Sequence, residues 1–122
     1  MFGRTGIVQL LLNHASSKKI KLNAKDQFGY TAFMYACIGD CLDTIKLFLD
    51  HSDRQYIDFN AVNHNGESAF YKACSMNKVE VVKLLFKCSA QKKIIIPEQN
   101  LFPQFDEQIQ ELLENLHLES DF

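Results

Sequence analysis

The sequence lacks the features that mark proteins acting on nucleic acid or within membranes. Its 13 basic residues are outnumbered by 15 acidic residues, which leaves a formal net charge of −2. Proteins that bind nucleic acid carry an excess of lysine and arginine that neutralises phosphates. The sequence also contains no apolar run approaching the roughly 20 residues that a membrane-spanning helix requires. We therefore expect neither nucleic acid nor a membrane as a partner.

Catalytic motifs are also missing from the sequence. It contains no glycine-rich phosphate-binding loop and no serine nucleophile elbow. The carboxylates of Asp40, Asp43 and Asp50 lie on predicted helix ends or hydrophilic faces, which favours a solvated surface over an acid/base pair. We expect a protein that is not an enzyme and that uses no cofactor.

The cysteine content is low, with only Cys37, Cys41, Cys74 and Cys88. Cys37 and Cys41, together with Cys74 and a histidine, raise the alternative of a site for a soft metal. Their spacing is not that of a zinc knuckle, however, and a buried cysteine packs like a small apolar residue. We favour reduced cysteines in the core and no metal. Reduced thiols fit an intracellular protein, in the cytoplasm or alternatively the nucleus.

What the sequence does contain is an internal repeat of 37 residues. A fixed period of this length is typical of a stacked array rather than a single closed globule. The residues His14, Ile20, Asn23, Ala24, Gly29, Ala32, Phe33, Ala36, Cys37, Lys46 and Leu47 recur as His51, Ile57, Asn60, Ala61, Gly66, Ala69, Phe70, Ala73, Cys74, Lys83 and Leu84.

Each unit begins with a turn and a short helix. Gly29 and Gly66 mark the turns, because glycine adopts positive φ without a clash from a Cβ atom. Thr31 and Ser68 follow as N-caps, since a hydroxyl can accept a hydrogen bond from an amide of the first helical turn. The first helices of the two complete units are predicted at residues 32–39 and 69–76.

A break and a second helix complete each unit. Asp40 and Asn77 lie in the break, and both residue types tolerate the left-handed conformation better than most. The second helices, about ten residues long, are predicted to begin near Leu42 and Val79. Their apolar residues fall on one helical face: Leu42, Ile45, Phe48 and Leu49 in one copy, and Val79, Val82, Leu85 and Phe86 in the other. In the first helices, the small Ala36 and Ala73 would let adjacent units approach closely.

These motifs resemble the ankyrin repeat family, whose pattern is Asp-x-x-Gly-x-Thr-Pro-Leu-His-x-Ala followed by a second helix and an Asp-Val-Asn-Ala return. One copy reads Asp26-Gln-Phe-Gly29-Tyr-Thr31-Ala-Phe-Met-Tyr-Ala36, and the next reads Asn63-His-Asn-Gly66-Glu-Ser68-Ala-Phe-Tyr-Lys-Ala73. The resemblance implies an all-α ankyrin-repeat solenoid of stacked antiparallel helix pairs with short hairpin turns. We expect an incomplete first repeat at residues 1–25, repeats at 26–62 and 63–96, and a linker with a capping helix at 97–122.

The two ends of the array differ from its middle. The first copy begins in mid-unit, so we expect Ile7, Val8 and Leu11 to be exposed and to contact upstream repeats or a second copy of the chain; a fragment of a longer protein is the alternative. At the other end, Pro97 and Pro103 interrupt the pattern. Asp106 is then predicted to cap a final helix whose apolar face comprises Ile109, Leu112, Leu113 and Leu116.

The resemblance also implies a function in protein binding. Partners of the family usually contact the hairpin turns and the concave face of the first helices, so we predict a non-catalytic module that binds a protein of unknown identity. The alternatives are that Phe28 and Tyr30 only pack on the neighbouring turn, and that the chain is a structural cap of a longer array. The residues predicted to contact a partner are Gln27, Phe28, Tyr30, Tyr35, Ile38, His64, Asn65, Glu67, Lys72 and Met76.

Two asparagines, Asn23 and Asn60, align with the asparagine of the family's Asp-Val-Asn-Ala return. We expect their side chains to form hydrogen bonds that hold the turn. The resemblance alone adds the alternative that they are hydroxylated.

Overall fold

The computed structural model describes residues 22–51, 56–97 and 103–120. A second helix that contains Ile7, Val8 and Leu11 is expected in the incomplete first repeat and lies outside these residues. The 37-residue period also predicts an extended loop at 52–57, beyond the second helix of the next unit, and residues 52–55 of it lie outside them too. The described residues form five helices and, apart from one isolated β-bridge between Val62 and Ser68, no strand. The helices are α1 (Ala32–Ile38), α2 (Leu42–His51), α3 (Ala69–Ser75), α4 (Val79–Lys92) and α5 (Glu107–Ser120).

The helices form a stack of pairs. Helix α1 packs on α2 within its unit and on α3 of the next unit, while α3 packs on α4 and α4 on α5. Helices of seven and ten residues are marginal in isolation, so each pair depends on its neighbours for stability. The predicted all-α array of stacked helix pairs is confirmed.

Side-chain hydroxyls cap the N-termini of the first helices, as predicted. The hydroxyl of Thr31 accepts a hydrogen bond from the amide of Met34 at 3.2 Å. Ser68 accepts one from the amide of Tyr71 at the same distance of 3.2 Å. Helices α1 and α3 each end one residue earlier than predicted, with Gly39 as the residue that follows α1.

The breaks between paired helices also follow the prediction. Asp40 has φ 59° and Asn77 has φ 58°, so both lie in the left-handed region. Helix α4 is longer than expected, at 14 residues. It ends at Lys92, and the next residue, Lys93, adopts φ 55°. The last turn of α4 therefore occupies positions at which the repeat pattern predicts a loop.

The core repeats with the same period as the sequence. Phe33 is 2% exposed and Phe70, its equivalent, is 1% exposed. Cys37 and Cys74 are fully buried at equivalent positions, as expected for core cysteines. The remaining fully buried side chains come mainly from the second helices and α5: Ile45, Val81, Val82, Leu85, Ile109 and Leu113.

Helix α5 packs against α4. The carboxylate of Asp106 accepts a hydrogen bond from the amide of Gln108 at 3.1 Å, which caps the helix as predicted. Ile109 and Leu113 are fully buried, and Leu112 is partly buried against the core. Three of the four residues of the predicted apolar face, Ile109, Leu112 and Leu113, therefore pack in or against the core, and Leu116 is partly exposed.

An asparagine side chain joins the first described turn to the next unit. The Oδ1 atom of Asn23 accepts a hydrogen bond from the amide of Asp58 at 2.7 Å. Its Nδ2 atom donates to the carbonyl oxygen of Tyr56 at 3.1 Å. Both partners lie in the following return loop, so this side chain bridges two units rather than closing its own turn.

Asn60 repeats this bridge one unit further along. Its Oδ1 atom accepts from the amide of Ile95 at 2.8 Å, and its Nδ2 atom donates to the carbonyl oxygen of Lys93 at 2.8 Å. The next equivalent position is Pro97, whose side chain has no group that can form either bond. The asparagine bridges therefore join successive units up to this point.

Replacing Asn60 by alanine is expected to lower the free energy of unfolding by about 1–3 kcal/mol, because two hydrogen bonds of about 0.5–1.5 kcal/mol each are lost. Asn60→Asp keeps the acceptor but turns a carboxylate oxygen toward the Lys93 carbonyl, so it is expected to destabilise by at least as much at neutral pH. Urea denaturation measures both. The exposed Asn65 supplies the control Asn65→Ala, and equal effects at positions 60 and 65 would contradict the bridging role.

Candidate protein-binding site

The first hairpin turn is built around Asp26. One carboxylate oxygen of Asp26 accepts hydrogen bonds from the amides of Phe28 and Tyr30, each at 2.9 Å. Gly29 sits between them with φ 84°, a conformation that L-residues with a Cβ atom rarely adopt. Asp26 thus fixes the backbone that carries two of the predicted contact residues.

The second hairpin turn uses Asn63 in the same way. Its Oδ1 atom accepts hydrogen bonds from the amides of Asn65 at 2.9 Å and Glu67 at 3.0 Å. Gly66 has φ 77°. Unlike Asp26, Asn63 also has a side-chain donor, which bonds to the Glu67 carboxylate at 3.0 Å.

The two turns lie in direct contact with each other. The amide of His64 donates to the carbonyl oxygen of Phe28 at 3.1 Å, and the ammonium group of Lys25 donates to the Val62 carbonyl at 2.7 Å. A Cβ atom at Gly29 would lie 2.7 Å from the His64 ring and 2.8 Å from its amide nitrogen. Close packing of the turns therefore requires glycine at position 29.

Phe28 and Tyr30 of the first turn and Tyr35 of helix α1 form an aromatic cluster, which we call the aromatic wall. The hydroxyl of Tyr35 donates a hydrogen bond to the second carboxylate oxygen of Asp26. The rings of Tyr30 and Tyr35 stack with centroids 5.2 Å apart and planes inclined by 27°. Phe28 is 59% exposed and Tyr35 is 50% exposed, so large apolar surfaces face solvent here. Tyr30 thus stacks on Tyr35 of helix α1 in its own unit.

This wall borders an open groove between the two units, which we call the inter-repeat groove. Its volume is about 640 Å³. The structure brings eight of the ten predicted contact residues together along it. They are Phe28, Tyr30, Tyr35, Ile38, His64, Asn65, Lys72 and Met76.

The other two predicted residues do not line the groove. Gln27 is exposed on the first turn. The carboxylate of Glu67 accepts the bond from Asn63 and lies 3.6 Å from the ammonium nitrogen of the groove residue Lys72. Glu67 therefore orients a groove residue instead of forming the groove surface.

Hydrogen bonding shifts the pKa values of Asp26 and Tyr35 in opposite directions. The hydrogen bond from Tyr35, followed by that from the Tyr30 amide, lowers the pKa of the Asp26 carboxyl below its ordinary value of 3.8. The same bond to Asp26 raises the pKa of Tyr35 above 10.0. At neutral pH the pair is therefore a carboxylate and a neutral phenol, which keeps the bond intact.

Replacing Tyr35 by phenylalanine is expected to raise the pKa of Asp26 toward its ordinary value, because the largest cause of the shift is removed. Because the pKa of Asp26 is lower in the folded state than in the unfolded state, its ionised form stabilises the fold. This stabilisation is fully present above pH 3.8 and is lost as pH falls through the folded-state pKa. Carboxyl-carbon NMR titration measures this pKa in both proteins. An unchanged Asp26 titration in Tyr35→Phe would contradict the bond.

The cysteines lie away from the groove. Burial raises the pKa of the Cys37 thiol far above its ordinary range and raises that of Cys74 to about 12. Both are therefore neutral thiols at physiological pH. All four cysteines are free, and Cys41 donates a weak hydrogen bond to the Gly39 carbonyl at 3.5 Å.

Two further properties hold for the part of the chain that the structure describes. It contains no group of three or more His, Cys, Asp or Glu residues placed to hold a metal ion. No helix within it is both long enough and apolar enough to cross a membrane.

Sequence reasoning missed two residues that shape the site, Asp26 and Asn63. Both are positioning residues, because they hold the turns and, for Asp26, the Tyr35 ring. Their equivalent positions in the repeat, three residues before the turn glycine, were a usable signal. A short polar side chain just before a turn glycine commonly bonds to backbone amides two residues further on.

Comparisons with known proteins agree with this architecture. The family model for ankyrin repeats, with three copies of the repeat, matches residues 1–95. A chain in the solved structure of a predatory endopeptidase from Bdellovibrio bacteriovorus in complex with an immunity protein has a similar fold, with a TM-score of 0.57 and 24% sequence identity. That match covers 86% of this chain but 60% of the solved chain, so this chain spans about three fifths of its length.

No curated protein sequence matches this chain significantly. The ankyrin-repeat match extends over most of the sequence, and the described helices form the stacked pairs that this family builds. The protein is therefore a member of the ankyrin repeat family.

Proposed function

We propose that this chain binds a partner protein in the inter-repeat groove. Ankyrin repeats are generally protein–protein interaction modules and typically have no catalytic activity. The observation that carries the proposal is that eight residues predicted from the sequence to contact a partner converge on one groove. Of the remaining predicted residues, Gln27 is exposed on the first turn and Glu67 pairs with the groove residue Lys72.

The composition of the groove supports this function. Phe28, Tyr35 and Met76 are large apolar or aromatic residues that expose two fifths or more of their surface. Aromatic residues dominate the energetics of protein interfaces, because they bury a large area and lose little conformational entropy. Here Tyr35 is additionally held by Asp26 and by the stack with Tyr30. A pre-oriented wall lowers the entropic cost of binding.

The second candidate function is that of a structural cap for a longer repeat array. It is favoured by helix α5, whose Ile109 and Leu113 are buried against the core while Glu107, Glu111 and Glu114 on the same helix are exposed. Terminal repeats require such a polar outer face. On this account residues 26–62 and 63–96 form the repeats and 97–122 form the cap.

Affinity capture with matched variants separates these functions. The chain is immobilised as wild type, as Phe28→Ala/Tyr35→Ala, and as Tyr56→Ala, and bound proteins are identified by mass spectrometry. Tyr56 is 77% exposed and lies outside the groove, so its substitution removes an equally accessible aromatic side chain. Circular dichroism melts verify that all three proteins remain folded.

We expect a set of proteins captured by the wild type and by Tyr56→Ala but lost from the double variant. A purified member of that set should then bind the double variant at least ~30-fold more weakly, as expected for hot-spot residues worth about 2 kcal/mol or more. Capture that is equal for all three proteins would reject the groove and leave the capping function as the better account.

A further inference from the structure

We infer that Asn65 is a site of spontaneous deamidation, at which the side-chain amide is converted to a carboxylate in the folded protein. This inference goes beyond the proposed function and does not depend on it. It follows from the residue after Asn65, from the exposure of the second hairpin turn, and from the hydrogen bonds that hold the other asparagines nearby.

The residue that follows Asn65 favours this reaction. Deamidation requires the backbone nitrogen of the following residue to attack the side-chain carbonyl carbon of asparagine. A side chain on that residue obstructs the attack, and Asn65 is the one asparagine in the sequence that precedes a glycine. Space around Gly66 is also open, since apart from its chain neighbours no described atom lies within 4 Å of the position that a Cβ atom would take.

The chemistry needs no reagent other than water. When the Gly66 nitrogen bonds to the side-chain carbonyl carbon of Asn65, the bond from that carbon to the side-chain nitrogen breaks. The proton of the Gly66 nitrogen leaves with that nitrogen as ammonia, and a cyclic imide remains. Water then opens the imide at either of its carbonyl groups, which gives aspartate or isoaspartate. The product carries one more negative charge than asparagine.

The neighbouring asparagines are held by hydrogen bonds that Asn65 lacks. Asn63 is 5% exposed, and its side chain bonds through both Oδ1 and Nδ2. Asn60 also uses both atoms, in the bridge to the next unit. Asn65 is exposed, and none of the described residues hydrogen bonds to its side chain. Its amide group is therefore free to rotate toward the attacking nitrogen.

Hydrogen bonds of the turn control how fast the reaction occurs. The Gly66 amide donates to the Asn63 carbonyl at 3.0 Å, so the nitrogen can attack only after this bond opens. The Asn63 side chain holds the turn closed by accepting from the amides of Asn65 and Glu67. Exposed turns with few buried contacts open at low free-energy cost, and residues 64–66 are all exposed. Asn63 therefore slows the reaction without preventing it.

Deamidation changes the inter-repeat groove, because Asn65 lines it. Either product adds a carboxylate at this position. Isoaspartate also adds one carbon atom to the backbone before Gly66, which displaces the amides of the turn from their bonds to Asn63. The modification thus alters both the charge and the backbone of one side of the groove.

The test follows the folded chain over several days at neutral and mildly alkaline pH. Trypsin digestion at mildly acidic pH, which limits further reaction, releases residues 55–72 as one peptide, because its only lysine or arginine is the last residue. This peptide contains Asn60, Asn63 and Asn65. Fragmentation in the mass spectrometer assigns the product to one of the three asparagines and distinguishes aspartate from isoaspartate.

One further asparagine and two variants complete the comparison. Asn77 is exposed but precedes Lys78, so it is the matched control for an accessible asparagine without a following glycine. Gly66→Ala places a methyl group beside the attacking nitrogen. Asn63→Ala removes the side chain that holds the turn closed. Circular dichroism melts verify that each variant is folded.

We expect product to accumulate at Asn65 and not at Asn60, Asn63 or Asn77. It should form faster at higher pH, because the deprotonated Gly66 nitrogen is the attacking group. Asn63→Ala should raise the rate at Asn65 by at least ~5-fold, since two hydrogen bonds that hold the turn are lost. Gly66→Ala should abolish the product at position 65.

The wild-type protein alone decides the inference, even if a variant does not fold. An Asn65 that stays intact, or that reacts no faster than Asn77, overturns it. An unchanged rate in folded Asn63→Ala overturns the control of the reaction by the turn.

Discussion

Replacing Phe70 by alanine is expected to lower the free energy of unfolding by about 3–5 kcal/mol, the range for truncating a fully buried phenylalanine. Phe70 is 1% exposed and lies on α3, which packs on both α1 and α4. Small domains have a total stability of about 5–15 kcal/mol, so the loss removes a large part of it. Urea denaturation followed by far-ultraviolet circular dichroism and tyrosine fluorescence measures the change, because the chain contains no tryptophan.

The matched control for this prediction is Phe28→Ala, which removes the same side chain from an exposed position. We expect it to change the stability by less than about 1 kcal/mol, since surface substitutions are usually small in effect. Because α1 and α3 pack directly on each other, both probes should report one transition in Phe70→Ala. Equal destabilisation by the two substitutions, or separate transitions, would contradict a core shared between units.

Replacing Gly29 by alanine is the second substitution with a large expected effect. A Cβ atom at positive φ costs about 1–2 kcal/mol, and overpacking against a neighbouring backbone adds about 1–3 kcal/mol. At Gly29 both costs apply, because φ is 84° and the added atom would lie 2.8 Å from the His64 amide nitrogen. We expect a total of about 2–5 kcal/mol, measured by thermal or urea unfolding.

Gly66→Ala is the matched control for this effect. Gly66 has φ 77°, and no described atom lies within 4 Å of the position that a Cβ atom would take there. Only the backbone cost of about 1–2 kcal/mol should therefore appear. In Gly29→Ala, loss of the hydrogen bond between the His64 amide and the Phe28 carbonyl should also speed exchange of that amide with deuterium. Equal destabilisation at both glycines would show that the turns do not pack as described.

Local features of the fold could be predicted from the sequence because they depend on residues close together in the chain. The N-caps Thr31 and Ser68 act on amides three residues away. The left-handed conformation of Asp40 and Asn77 reflects their own side chains and the tight link between paired helices. Each of these residue patterns occurs in both units at the same position of the repeat, so it is unlike a chance match.

Features that depend on contacts between units were harder to predict. Asn23 and Asn60 were expected to hydrogen bond within their turns, and the structure shows instead that each bridges to the next unit. The bond from Tyr35 to Asp26 depends on the rotamer of a tyrosine one helical turn into α1. The asparagine bridges cannot be derived until the displacement between adjacent units is known, and the bond from Tyr35 cannot be derived until that rotamer is known.

The candidate site was likewise predictable from the sequence only in part. Periodicity placed Phe28, Tyr35 and Lys72 on turns and first helices, and the structure brings all three to one groove. The sequence did not distinguish Glu67 from these residues, because its direction depends on the bond from Asn63. Side chains whose orientation is set by a single hydrogen bond are therefore the least predictable part of the surface.

NMR mapping of the binding surface tests most directly whether the inter-repeat groove binds the partner. Spectra of the isotopically labelled chain are recorded while a partner obtained by affinity capture is added. We expect the amide signals of residues lining the inter-repeat groove to shift most, Tyr35 and Lys72 among them, while those of Tyr56 and of the exposed face of α5 change little. Shifts concentrated on α5, with the groove unaffected, would contradict the account.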